Sequence, residues 1–226
     1  MQAVNPISTN HPAGRSAWSA LALHWPEYLM EAAHLGLFMI SACIFGVLLD
    51  HPSSPLHQAI ENATLRRVLG GLAMGATAVS LISSPWGQRS GAHMNPAFTL
   101  TFYVLGKIER WDAVFYALSQ IAGGVAGMAV AALMIGPPLA DSPVHYVATV
   151  PGPSGPTTAF LAELLLSFLL VYIVLHVSNH PRWTRLTPWI AGVLVASFIS
   201  IEAPLSGMSI NPARTLGSAV FAVDYT

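Results

Sequence analysis

Residues 90–100 read SGAHMNPAFTL, and residues 206–216 read SGMSINPARTL. Seven of the eleven positions are identical at an offset of 116 residues. One Asn-Pro-Ala is ordinary turn chemistry. Two copies, each preceded by Ser-Gly and followed by Thr-Leu, are a duplication. In each copy Asn stands where a helix cap belongs and Pro stands at the first helical position, a pairing that favours helix initiation. After Asn95 and Pro96 the apolar run lasts to Leu105 and Gly106 ends it. That predicts a half-helix over 95–105, and the second copy predicts one over 211–220.

The surroundings of the two copies are apolar. Runs at about 27–49, 66–84, 111–135 and 157–178 reach the length of about 20 residues that spans a bilayer, and a shorter fifth run covers 187–201. Charged residues make up 8% of the 226 residues and apolar ones 54%, with a mean hydropathy of +0.58. A soluble domain carries about 25% charge, so the chain belongs in lipid. A net charge of −1 leaves no basic patch for nucleic acid. The single cysteine, Cys43, excludes an intrachain disulfide. His176 and His180, at i and i+4, are the nearest approach to a metal-ligand spacing, and no cofactor or metal is expected. No Gly-x-Ser-x-Gly is present, and no nucleophile stands beside a clear base, which argues against an intramembrane enzyme.

A second pair of residues repeats as well. Glu31 lies early in the first run and Glu163 early in the fourth. A carboxylate at either place is costly in lipid, and two uses are open to it: snorkelling to a membrane face, or accepting hydrogen bonds from the repeated loops. Each half then reads as span, span, Asn-Pro-Ala segment, span. Three spans per half invert the second half relative to the first. The division predicted is a flexible N-terminal tail over 1–26 with no cleavable leader, a first repeat over 27–135, a Pro/Gly-rich linker over 136–156, and an incomplete second repeat over 157–226. Six spans are demanded and five are present. The sixth would start at position 227, so the chain is read as a fragment or a truncated product, and the 226 residues alone are expected to conduct poorly.

A helix of about ten residues rises roughly 15 Å, half of the ~30 Å hydrocarbon layer. Inversion brings the two helix starts together at the midplane, each carrying roughly +0.5 of a charge. Cations and protons meet a barrier there; neutral polar molecules do not. If each Asn oxygen caps backbone N–H groups, its NH₂ faces the cavity as a pure donor. Arg214 adds a full charge, unless it pairs with Glu202. With the N-terminus inside, six basic residues fall in inner loops against two (Arg66 and Arg67) outside.

The two loops and the two acids resemble those of the aquaporin, or major intrinsic protein, family over about residues 27–222. The resemblance implies an all-α right-handed bundle of six helices and two half-helices, homotetramers in the lipid bilayer, and a passive pore in each subunit for water or a small neutral solute. Asn95, Pro96, Ala97, Asn211, Pro212 and Ala213 match the midplane motifs. His93 matches a pore-lining histidine, and Arg214, Met74, Ile199 and Met208 match the outer constriction. Orthodox water channels carry an aromatic where Met74 stands and a histidine where Ile199 stands; glycerol channels carry aspartate where Thr215 stands. The solute therefore stays open, with a non-conducting truncated remnant as the alternative. Short loops and the lack of a leader lean toward a bacterial cytoplasmic membrane.

Overall fold

The computed structural model describes residues 15–222. Five long helices have the length and composition to cross a membrane: α1 (Ala17–Asp50), α3 (Ala63–Ser83), α6 (Arg110–Ile135), α7 (Gly155–Asn179) and α8 (Thr187–Ser206). Two short helices, α2 (Pro55–Ala59) and α4 (Pro85–Ser90), lie in the connections flanking α3. The half-helices are α5 (Pro96–Val104) and α9 (Pro212–Ala219). The architecture is all-helical, with five full spans and two half-spans.

Three boundaries differ from expectation. The tail expected over 1–26 is helical from Ala17, and residues 1–14 of it lie outside the described residues. Ser16 caps this helix by accepting from Ser19 N–H, and Pro26 lies inside it. Pro26 reads locally as a breaker, yet Trp18, Leu21, Leu23 and Trp25 already form an apolar surface ahead of it. The fifth span runs on past Ile201 to Ser206 with Pro204 in its last turn. Proline there removes one N–H, and the carbonyl it would have served, that of Ser200, accepts from Arg67 Nε at 2.9 Å instead. The linker is not a free boundary either. It folds into turns at Pro137–Leu139 and His145–Val147, and Leu139 and Val144 are buried with Leu35, Met39, Cys43, Met128 and Ala213.

Small residues let the spans close on one another. A Cβ on Gly123 would lie 2.1 Å from the Ala32 carbonyl oxygen, and one on Gly127 2.3 Å from that of Gly36, so α1 and α6 touch backbone to backbone. α3 and α8 do the same at Gly75 and Gly192. Without a hydrophobic drive in lipid, such contact is the main cohesion between helices. Gly127→Ala should therefore weaken the fold by about 1–3 kcal/mol, as overpacking does, read as a lower midpoint in detergent unfolding. Gly70→Ala, whose Cβ would sit 3.4 Å from a Leu49 methyl, should leave the midpoint where it is.

Candidate pore and its midplane loops

Both Asn-Pro-Ala loops are built the same way, position for position. Ser90 Oγ and the N–H groups of His93 and Met94 donate to Glu31 at 2.7, 3.0 and 2.6 Å. In the second half Ser206 Oγ and the N–H groups of Ser209 and Ile210 donate to Glu163 at 2.6, 2.7 and 2.5 Å. Glu31 is fully buried and also accepts from Gln120 Nε2 at 2.9 Å. The acids are thus hubs for the loops, not snorkelling side chains. The backbone has to turn sharply to present these N–H groups. Gly91, Ala92 and Met94 have positive φ (90°, 47° and 49°), and so do Gly207, Met208 and Ile210 (81°, 50° and 46°). The pattern repeats at the same offset as the sequence.

The helix starts meet. Asn95 Oδ1 accepts from Ala97 N–H at 2.9 Å, and Asn211 Oδ1 accepts from the N–H groups of Ala213 and Arg214 at 3.1 and 3.3 Å. Each amide then reaches across. Asn95 Nδ2 donates to the Ile210 carbonyl and Asn211 Nδ2 to the Met94 carbonyl, both at 2.7 Å. This corrects the expectation of an NH₂ devoted wholly to the cavity. One proton of each amide ties the two halves together, and the second is left for the cavity that both residues line. The tips stand close enough to bond because α6 passes behind both, with Gly124 against the Ala213 carbonyl and against Gly217.

A cavity of about 810 Å³ runs past these tips. At one end it touches Asp50, Arg66 and Arg67, and at the other Lys107, Asn179 and Thr184. His93, Met74, Ile199, Met208 and Arg214 all line it. His93 is held by Thr99, its Nδ1 lying 3.1 Å from Thr99 Oγ1, and its ring stacks on Phe102 at 4.7 Å. Met208 packs with Leu170 and Ile210 and against Ile199. Met74, on α3, accepts a long contact of 3.8 Å from Ser41 Oγ. Arg214 Nη1 is buried with no partner, and no ion pair joins Arg214 to Glu202 among the described residues. His176 bonds the Tyr172 carbonyl and His180 stacks on Trp183. No group of three or more potential metal ligands forms among the described residues.

Sequence reasoning missed part of the wall. Phe38, Phe45 and Gly46 of α1 line the cavity, as do Val144, Val147 and Ala148 of the linker. Val147 lies over Gly46, where a Cβ would come within 2.7 Å of a valine methyl. The glycine inside an apolar span was the only signal for this close approach, and it reads equally as helix packing.

Five spans, a cavity beside the midplane, and two half-helices bonded tip to tip define a multi-pass membrane architecture. A profile of the family described as major intrinsic protein matches residues 22–226, and the chain belongs to that family. It is 30% identical over 202 residues to the probable aquaporin NIP7-1 of Arabidopsis thaliana, covering 88% of this chain and 68% of that protein. It is 32% identical over 161 residues to the glycerol uptake facilitator protein-like 6 of Lactiplantibacillus plantarum, covering 67% and 70%. The chain spans about half the length (50% and 48%) of two further plant relatives that it matches. In fold it is similar to the aquaglyceroporin from Plasmodium falciparum, with a TM-score of 0.72 at 20% identity over 89% of this chain and 83% of that one.

Proposed function

We propose that the protein is a passive channel for water, small neutral solutes, or both, and that it excludes ions and protons. The observation that carries this reading is the pair of cross-bonded asparagines beside a cavity whose lining includes residues near both ends of the spans. Each loop presents donors at one point, so water passing there turns its oxygen to the amides, and a continuous proton wire is broken. The half-helix starts and the Arg214 guanidinium put positive charge along the same path. Orientation follows from loop charge: the N-terminus is inside, and Arg66 and Arg67 mark the outer mouth. Family likeness favours a homotetramer in the bilayer.

The constriction assigned to Met74, Ile199, Met208 and Arg214 offers three apolar walls and one charged donor. Such a ring favours solutes that carry both carbon and hydroxyl groups over bare water. The test is stopped-flow light scattering on vesicles reconstituted with the whole gene product. Faster osmotic shrinkage or faster glycerol uptake than in empty vesicles is the expected result, and neither would end the proposal. Ile199→His, which narrows the ring and adds a polar edge, should reduce glycerol flux about tenfold, the scale of small changes in an apolar pocket. It should leave water flux within about threefold of the parent, a change worth less than ~1 kcal/mol.

A further inference from the structure

We propose that Thr149, in the linker between α6 and α7, is a positioning residue that holds the loop bearing Arg214 and so tunes which solutes pass. This rests on the reading of the cavity as a permeation path.

Hydrogen accounting gives the first argument. Ser209 Oγ donates to the Asn211 carbonyl at 2.9 Å. A serine hydroxyl has a single hydrogen, so in the short contact between Ser209 and Thr215 the hydrogen belongs to Thr215. Thr215 has then spent its own hydrogen, and Thr149 Oγ1, 3.3 Å from Thr215 Oγ1, must donate. The chain runs one way: Thr149 to Thr215 to Ser209 to the carbonyl of the midplane asparagine. Arg214 sits between two members of this chain in sequence and on the same turn of α9.

The mirror half supplies the second argument. At the offset of 116, Ser209 corresponds to His93 and Thr215 to Thr99, and His93 is likewise clamped by Thr99 at 3.1 Å. Thr99 is backed by Gln120 Nε2 at 3.1 Å, a fully buried side chain of α6 that also serves Glu31. Both clamps therefore have a backing donor. In the first half it comes from a transmembrane helix, and in the second from a loop. The loop is fixed in turn: Gly152 N–H donates to the Leu205 carbonyl at 2.8 Å, and a Cβ on Gly207 would lie 2.9 Å from Thr149 Cα. The same stretch lines the cavity with Val147 and Ala148. A shift of the linker moves a wall and the arginine loop together.

Thr149→Val removes the donor and keeps the shape; Thr149→Ser keeps the donor. In reconstituted vesicles Thr149→Val should change the ratio of glycerol to water permeability by about threefold or more, the effect of one hydrogen bond. Thr149→Ser should restore the parent ratio. Thr215→Val, which breaks both of its links, should change the ratio at least as much, and the double variant no more than Thr215→Val alone. A purely structural linker would lower both permeabilities in proportion, and an unmoved ratio overturns the proposal. Amide exchange read by mass spectrometry gives an arm that needs no transport. Thr149→Val should speed exchange across 207–214 several-fold and leave 91–97 unchanged; equal protection in 207–214 overturns the proposal. If the parent protein passes neither water nor glycerol, the channel reading fails by itself, and the exchange arm still decides the role of Thr149.

Discussion

Glu31→Ala should cost about 3–5 kcal/mol, the scale of removing one partner from a buried charged network, and should leave the first midplane loop without a fixed shape. Four donors converge on this carboxylate: Ser90 Oγ and His93 N–H on Oε1, Met94 N–H and Gln120 Nε2 on Oε2. Alanine takes this partner from all four, leaving Gln120 Nε2 with Thr99 Oγ1 alone. Glutamine is a sharper probe. It offers one acceptor oxygen and one NH₂, so whichever way it flips, two donors face a donor. Glu163 accepts Ser206 Oγ and Ser209 N–H on Oε1 but only Ile210 N–H on Oε2. Glu163→Gln can turn its NH₂ toward that single N–H. The expected order of loss is therefore Glu31→Ala, then Glu31→Gln, then Glu163→Gln, read as unfolding midpoints in mixed micelles. Equal midpoints for the two glutamine variants would show that the donors are satisfied in some other way.

The same hubs explain what the sequence could and could not convey. Spans were legible because twenty apolar residues in a row have one stable home, and the half-helices because Asn-Pro ahead of a short apolar run favours helix initiation and occurs twice in the same context. The pairing of Glu31 with the first loop and Glu163 with the second was legible as one of two options, since a buried acid needs donors. The left-handed backbone at Ala92, Met94, Met208 and Ile210 was not legible. Local preference runs against it, most of all for the β-branched Ile210. Each such residue costs roughly 1–3 kcal/mol, and much of what offsets that cost is far away in sequence: the carboxylates on the Met94 and Ile210 N–H groups and the opposite asparagine on their carbonyls. The crosswise amide bonds were hidden for a similar reason. The duplication says that two tips exist; their 2.7 Å contacts depend on how closely α6 lets α9 approach. The start of α1 was missed because Pro26 is a breaker only by local rules. The linker was missed as a pore wall because a Pro/Gly-rich stretch has no period from which a buried face can be read.

Arg214→Leu should separate stability from exclusion. Arg214 Nη1 is buried and unpartnered, and a buried donor without a partner costs about 1–3 kcal/mol, more for a charged group. A leucine there removes a charge that no ion pair compensates among the described residues. The unfolding midpoint should hold or rise. The barrier to cations should fall. A unit charge at about 5 Å contributes roughly 1 kcal/mol in water and about 3 kcal/mol at an effective dielectric constant of 20, which corresponds to about fivefold to 150-fold in flux. Proton entry into vesicles holding a pH-sensitive dye, driven by a potassium diffusion potential, measures it directly. Arg214→Lys keeps the charge but loses the planar fork, so it should retain most of the exclusion. The two half-helix starts remain in every variant, each with its Asn cap, so the leak through Arg214→Leu should stay well below that of an open cation pore. Proton entry equal to that of the parent, with water flux intact, would place the whole barrier on the cross-bonded tips and leave Arg214 with solute selection alone.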